Sequence, residues 1–438
     1  VFDLPKYGDG VCLARMAELL DALAVDRAWL ARASVVLTGS NGKGSTAALC
    51  AGIARACALR TGLFTSPHLY RFNERFQVDG SPIGDDDLAR LASRIEMAIA
   101  EISQRRGEKF GAFEALFALA CLYFAERHCD FMVFEAGIGG RYDPARLVGA
   151  LATCVTSVDY EHVELLGHSL ELIISDKSDA CASGGTIVYG ENCRSLRAHL
   201  TEYNRNRAIA SSFVRDDIGI ARESVSASDQ RFDFRFGSYE FRSLEMTLLG
   251  AFQLNNAAIA ITLFLLWLGR AGSGKTAADI EAAVRSGLRD ARWPGRLEII
   301  RQKPLTVIDV GHTPDGIRQS LAGLKAIYGT QRWILVTGVS RDKNVSEIVG
   351  ALAPSFDTII CTAAHHKGAE AAMIAAAARA ANPDAKVHVA ATIEDAVRLG
   401  QNLAESLGRG VYAAGGLFLA IEYSVVARGE RAKELKFF

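Results

Sequence analysis

The residues best suited to chemistry in this chain lie in one stretch, Gly39-Ser40-Asn41-Gly42-Lys43-Gly44-Ser45-Thr46, directly after the apolar run Val35-Val36-Leu37. A glycine-rich turn between a strand and a helix leaves backbone N–H groups pointing into one hollow at a helix N-terminus, where the helix dipole favours an anion. Lys43 adds a mobile positive charge for terminal phosphates, and the hydroxyl of Ser45 or Thr46 can ligate Mg²⁺. The spacing departs from the strict G-x-x-x-x-G-K-[ST], because two residues separate Gly39 from Gly42 and Gly44 stands between Lys43 and Ser45. Strand, turn, lysine, hydroxyl pair and helix still follow in the order a phosphate site needs. They point to ATP or a relative.

Ligands of open parallel sheets sit beyond the carboxyl ends of the strands, so other strand ends are the next candidates. Glu135 closes the apolar run Phe131-Met132-Val133-Phe134, and an acid there is either a second Mg²⁺ anchor or a loop carboxylate capping a neighbouring helix. Asp159-Tyr160-Glu161-His162 follows another strand pattern; His162 alone reads as a polar loop residue or a ligand. Lys177, taken alone, is a solvated helix lysine. Asp309 and His312 end a later strand, and Arg296 precedes it. They would face the first set if two α/β domains clasp a nucleotide, and Arg296 would otherwise pair with a surface acid.

The elements that must position these residues alternate. Helical spacing covers 13–24, a strand runs Thr61–Thr65 into Ser66-Pro67-His68, and helices are expected from Asp85 to near Ile102 and from Phe113 to Glu126. Strands follow at Phe131–Glu135, Cys154–Val158 and Thr186–Tyr189, with a helix from Ser169 to near Cys181. This is a mostly parallel sheet covered on both faces. Phe232, Phe234 and Phe236 then alternate with polar residues, turn at Gly237-Ser238 and resume at Tyr239 and Phe241, a small antiparallel flap. A helix covers Leu254–Leu268, and Trp293-Pro294-Gly295-Arg296 breaks both periodicities. Strands at Leu305–Val310, Trp333–Thr337, Thr358–Cys361, Val387–Ala390 and Val411–Ala414 alternate with helices beyond it. The expected architecture is α/β: a P-loop-type domain over 1–296 and a smaller Rossmann-like α/β domain over 297–438.

Composition narrows the classes. Forty-nine basic residues against fifty acidic leave a net charge of −1, which argues against a nucleic-acid surface built on bulk charge. No apolar run reaches the ~18–20 residues of a membrane span, and no secretory leader is read. Nine cysteines without C-x-x-C pairs suit reduced, buried thiols and a cytoplasmic location.

Taken together these residues resemble the folylpolyglutamate synthase/dihydrofolate synthase family of the Mur ligase superfamily. The resemblance is carried by the phosphate loop, Thr65-Ser66-Pro67-His68-Leu69 with Arg71, Asn73, Glu74 and Arg75, and Phe113-Glu114. Glu135-Ala136-Gly137-Ile138-Gly139-Gly140-Arg141, His162-Val163-Glu164-Leu165-Leu166-Gly167, Gln253 with Asn256, and Trp293–Glu298 add to it. It implies a ligase that uses ATP and Mg²⁺ to join a folate-like carboxylate to an amino acid, glutamate, as a monomer acting on small molecules. Lys43 and the amides of Gly39, Asn41, Gly42, Gly44, Ser45 and Thr46 would hold phosphates. Ser45 and Glu135 would hold Mg²⁺, with His162 at the metal centre. Lys177, fifteen residues after His162, would be a carbamylated metal ligand. Asn256, Arg296 and Asp309 would contact the nucleotide; His312 would lie near the amino acid. Ser66, Pro67, His68, Asp143 and Arg146 would serve the acceptor.

Three departures bear on the acceptor. Asp143-Pro144-Ala145-Arg146 replaces the family's D-A-T-N, Lys6-Tyr7-Gly8-Asp9-Gly10 replaces the pterin-side segment, and Asp309-Val310-Gly311-His312-Thr313-Pro314 carries Thr313 where the family has Asn. Two alternatives stay open: the same chemistry on a non-folate acceptor, with Arg146 for an anionic group, and a nucleotide-dependent module without ligase activity.

Overall fold

The computed structural model describes residues 4–5, 8–10, 12–272 and 274–437. Its first sheet contains β1 (Ser34–Thr38), β2 (Thr61–Phe64), β3 (Phe76–Val78), β4 (Ser81–Pro82), β5 (Phe131–Glu135), β6 (Ala152–Val155), β7 (Thr186–Tyr189) and β8 (Ala210–Phe213). The order is β4-β3-β2-β5-β1-β6-β7-β8, and β2 through β8 are parallel apart from the antiparallel β3–β4 edge. The chain leaves β1 toward one side for β2 and returns to its other side for β6. That reversal opens a crevice at the carboxyl end of β1, where the glycine-rich loop begins.

Alternation along the strands separates two cores. Val35, Leu37, Phe131 and Val133 face the helices Lys43–Ala56, Ala251–Ala271 and Ala277–Asp290. Val36, Met132 and Phe134 face the helices Leu13–Ala22, Asp85–Arg106 and Ala112–Glu126. The helix Ala251–Ala271 is apolar nearly all round because it is enclosed. It is also long and apolar enough to cross a membrane by length and composition, contrary to the expectation that no such run exists, yet 78% of that window is buried inside the fold.

The expected flap is a three-stranded sheet, β9 (Gly219–Val225), β10 (Gln230–Phe236) and β11 (Tyr239–Met246). It is no free flap: Phe232, Phe234 and Phe241 are buried in the core shared with Ala251–Ala271. The second domain is a six-stranded sheet ordered β12-β13-β17-β14-β15-β16, from Glu298–Gln302, Leu305–Asp309, Gly410–Ala414, Trp333–Thr337, Thr358–Cys361 and Lys386–Val389 respectively. Only β12 runs antiparallel.

Several bounds move. The helix from Asp85 continues to Arg106, where Gly107 at φ 69° ends it. The helix expected over Ser169–Cys181 is Leu170–Ser178, capped by the Ser169 hydroxyl. The strand expected over Cys154–Val158 is β6, because the Thr156 and Ser157 hydroxyls bond the phosphate loop instead of a neighbouring strand. Strands β3, β4, β8, β9 and β12 carry too little periodicity to be read. Of the segment Lys6–Gly10, Lys6 and Tyr7 lie outside the described residues; Gly10 is fastened by Arg15 Nη2 at 2.7 Å, and Arg15 pairs with Glu114 at 2.8 Å. All nine cysteines are free thiols, eight of them buried.

If the three-stranded layer is core, Phe234→Ala should destabilise the first domain by about 3–5 kcal/mol, read by thermal or urea melting. An unchanged melt would make the layer an independent flap.

Candidate active site

The site is built outward from the loop after β1. Gly39 has φ 136° and Gly42 φ 89°, and Gly42 is the N-cap of Lys43–Ala56 without any side-chain cap bond. The helix start therefore offers its amides to a ligand. A Cβ on Gly42 would stand 2.5 Å from Asn256 Oδ1, and one on Gly44 2.4 Å from the Trp293 ring. These are positions where the fold itself demands glycine.

The loop is held from behind. Asn41 N donates to Ser157 Oγ at 2.8 Å, and Thr156 Oγ1 donates to Asn41 O at 2.7 Å. Gln253 Nε2 donates to Ser45 Oγ at 3.3 Å, and Asn256 Nδ2 to Gln253 Oε1 at 2.8 Å. Asn256, expected on the nucleotide, is only 3% exposed and has its amide turned to Gln253 and Gly42, so it shapes the loop. The Thr46 hydroxyl is fully buried and unpartnered, which fits a loop whose hydrogen bonding a phosphate completes.

Lys43 is the electrostatic centre. Its Nζ donates to Gly39 O at 2.6 Å and Ser40 O at 3.5 Å, and its charge acts on Glu135, Asp143, Glu161 and Lys177. Burial pushes the Glu135 carboxyl up to about 7 against the pull of Lys43, the Ser66 amide, Arg296 and Arg75. On the other flank Lys177, 2% exposed, donates to Glu161 Oε1 at 2.6 Å. Burial opposes ionisation of Glu161, but Lys177 and Lys43 prevail and hold it at about 2; burial lowers Lys177 from the ordinary lysine value.

His162 is exposed, at φ 46° as N-cap of the short helix Val163–Leu166. Desolvation and the charges of Lys177, Lys343 and Lys43 lower its pKa against Glu161. No hydrogen bond joins it to Glu135 among the described residues, so the expected metal set falls into two halves either side of Lys43. Nor do the described residues include three His, Cys, Asp or Glu side chains grouped closely enough to hold a metal alone. That pattern suits Mg²⁺, which commonly takes one or two carboxylates and completes its shell with phosphate and water oxygens.

The second domain meets the loop directly. Asn41 Nδ2 donates to Thr313 Oγ1 at 3.4 Å, and Thr313 caps the helix Pro314–Tyr328 by accepting from Gly316 N. Asp309 is buried; its oxygens accept from Leu297 N and Gly311 N, so it fixes the linker instead of facing open space. Arg296 acts electrostatically on Glu135, Asp309 and His312. His312 keeps its ring accessible, yet the crowding of both domains, with Lys343 and Arg296, pushes its pKa down to about 4. Lys343, in a polar loop after β14 without a motif, was not legible as a site residue.

A cavity of ≈850 Å³, larger than any at the loop's pole among those described, opens beside Ser34, Asp130 and Ala152 at the starts of β1, β5 and β6, the pole opposite the loop. Volume therefore does not locate this site; strand direction and charge do.

Comparisons with known proteins place the chain. Residues 37–264 match the Mur ligase middle domain and 295–416 the Mur ligase glutamate ligase domain. The dihydrofolate synthase/folylpolyglutamate synthase of Bacillus subtilis (strain 168) is 31% identical over 79% of this chain and 80% of its own. A Mycobacterium tuberculosis folylpolyglutamate synthase solved with ADP and AMPPCP superposes with a TM-score of 0.85, at 26% identity over 93% of each chain. A folylpolyglutamate synthase complexed with AMPPCP and folate gives 0.81, at 26% identity over 96% of each. The chain belongs to the folylpolyglutamate synthase/dihydrofolate synthase family.

Within this synthase fold, the residues expected on the acceptor divide between loop bracing and a cavity wall. Asp143 is buried; its oxygens accept from the amides of Gly137, Ile138 and Ala145, and burial raises its carboxyl to about 6. It braces the Gly137–Gly140 loop. Pro144-Ala145-Arg146 opens a short 3-10 turn, Pro144–Val148, on that brace. Arg146 is exposed and donates to Arg141 O at 2.8 Å. His68 is 3% exposed and both ring nitrogens are engaged, while Ser66 turns its amide to Glu135. Pro67 and His68 do line a cavity of ≈420 Å³ with Ala48, Arg55 and Trp293.

Gly42→Ala should weaken nucleotide binding at least tenfold, since the left-handed backbone alone disfavours alanine by about 1 kcal/mol and its Cβ meets Asn256. Titration of a fluorescent ATP analogue checks this; unchanged affinity would remove the loop from the site.

Proposed function

We propose that this ATP-dependent ligase uses Mg²⁺ to join glutamate through its amino group to a folate-type carboxylate, dihydropteroate or a folate glutamate tail. The observation that carries the reading is the contact of Asn41 with Thr313, which brings the phosphate loop against the first helix of the glutamate ligase domain. The names and ligands of the synthases it resembles supply the acceptor and the nucleotide. The domains divide at 296/297, and the chain works as a cytoplasmic monomer.

A carboxylate resists amine attack because oxide is a poor leaving group. Transfer of the γ-phosphoryl of ATP to a carboxylate oxygen gives an acyl phosphate and ADP. The neutral amine then adds to the acyl carbon, loses a proton, and expels phosphate to leave the amide. Lys43 and the loop amides oppose the charge that develops on the transferring group. Arg296 and His312 stand where the second domain would present the amine; His312, neutral at pH 7, would offer it a hydrogen-bond acceptor. The meeting of two domains keeps water from the acyl phosphate. Mg²⁺, held by Ser45 and Glu135 with His162 and a carbamylated Lys177 on the opposite flank, would neutralise phosphate charge.

Lys177 suits carbamylation because burial favours its free amine, the form that adds CO₂ with loss of a proton. The carbamate would face the Glu161 carboxylate, so an added cation would have to hold the two anions together. Carbamylation and divalent-ion binding should therefore rise together.

Hydroxylamine in place of glutamate should yield a hydroxamate and ADP. Release of AMP and pyrophosphate would refute the acyl phosphate. Lys43→Ala should cut turnover at least a thousandfold with its melt retained. Lys177→Ala should lose most activity, and a small carboxylate in solution should restore part of it, whereas Lys177→Arg should gain nothing from it. Full turnover by Lys177→Ala would end the carbamate assignment.

A further inference from the structure

The loop after β2 joins the site to the second domain. Ser66 N donates to Glu135 Oε2 at 3.1 Å. Arg75 Nη1 donates to Ser66 Oγ at 3.3 Å, and Arg75 Nε to His68 Nδ1 at 2.8 Å. A guanidinium only donates, so Nδ1 is the acceptor and the His68 proton sits on Nε2. Nε2 then donates to Lys436 O at 2.7 Å. His68 and Arg75 are each 3% exposed, so water competes little for these bonds.

The receiving end is itself fixed. Phe437, 3% exposed, packs edge-on against Phe418 at 4.8 Å and lies 5.1 Å from the His366 ring. Leu69, from the same loop, is buried in the second-domain core with Val310, Leu419 and Phe437. Glu74 shapes the loop between these contacts by accepting from the amides of Leu69, Tyr70 and Arg71. Tyr70 OH meets Ser424 Oγ at 3.2 Å, a second tie to this domain outside the hydrogen-bonded series.

We propose that Lys436 and Phe437 are positioning residues for Glu135. The Lys436 carbonyl orients His68, His68 orients Arg75, and Arg75 holds Ser66 so that its amide aims the Glu135 carboxylate. A carboxylate of the first domain is thus set by a segment packed in the second, and it is aimed only while the two domains sit in this arrangement. The inference rests on the role given to Glu135 in the proposed function.

The test uses the full chain with His68→Leu, His68→Gln, Phe437→Ala, Tyr70→Phe and Glu135→Ala, with kcat, KM and nucleotide affinity referred to folded protein. His68→Leu and Phe437→Ala should each lower kcat at least tenfold while nucleotide affinity stays within threefold. His68→Gln, whose amide can donate to Lys436 O and accept from Arg75, should recover at least a third of kcat. The His68→Leu/Phe437→Ala double variant should lose no more than the worse single, because both act through one series. Tyr70→Phe, which loosens the domains without touching the series, should keep kcat within twofold. Unchanged kcat in His68→Leu, additive losses in the double variant, or an equal loss in Tyr70→Phe would overturn the proposal. Phe437→Ala failing to fold leaves the His68 pair to decide it. Glu135→Ala with full activity would instead overturn the role of Glu135, a distinguishable failure.

Discussion

A half-buried cation among buried and half-buried acids is the constraint on which the rest depends. Lys43 starts a helix whose amides already favour anions, and Glu135, Asp143 and Glu161 stand around it at strand ends and in the following loops. A buried charge is costly unless paired or hydrogen-bonded. The flank with a second cation, Lys177, keeps its acid ionised at about 2, whereas the flank without a direct ion pair lets Glu135 drift to about 7. The two sides are therefore unequally satisfied, and a phosphate-bound cation would correct the less satisfied one.

That constraint explains why so many side chains expected to touch ligands are occupied with the loops. Asn256, Asp143 and Asp309 each give their polar atoms to backbone amides or to a neighbouring amide side chain. A glycine-rich loop has little side-chain packing of its own, so its shape has to be imposed from outside. Holding the loop around the charge centre thus draws on a surrounding frame of polar side chains.

The second domain contributes by contact as well as by its own residues. Thr313 reaches the phosphate loop, Leu69 enters the second core, and the Arg428 guanidinium lies over the Tyr70 ring, 5.4 Å from its centroid. Such an interface has two consequences: the crevice at β1 becomes a cleft between domains, and the charges of Arg296 and Lys343 join those around Lys43. His162 and His312, far apart in sequence, are both lowered by Lys343 for that reason.

The sequence alone determined the phosphate loop, the alternation of strands and helices, and the second α/β domain, because each is a local pattern: glycines at a strand end, apolar residues at period two or 3.6, Pro-Gly at a break. The strand carrying Glu135 was legible for the same reason. Short strands such as β3, β4 and β8 were not, since two to four residues hold too little periodicity. What only tertiary structure decided is which polar atoms remain for chemistry. Lys177 reads as a solvated helix lysine until its helix is packed and Glu161 arrives from sixteen residues away. The Nε2 partner of His68 is the carbonyl of Lys436, 368 positions on. Burial and partner choice depend on long-range packing, and no local spacing encodes them.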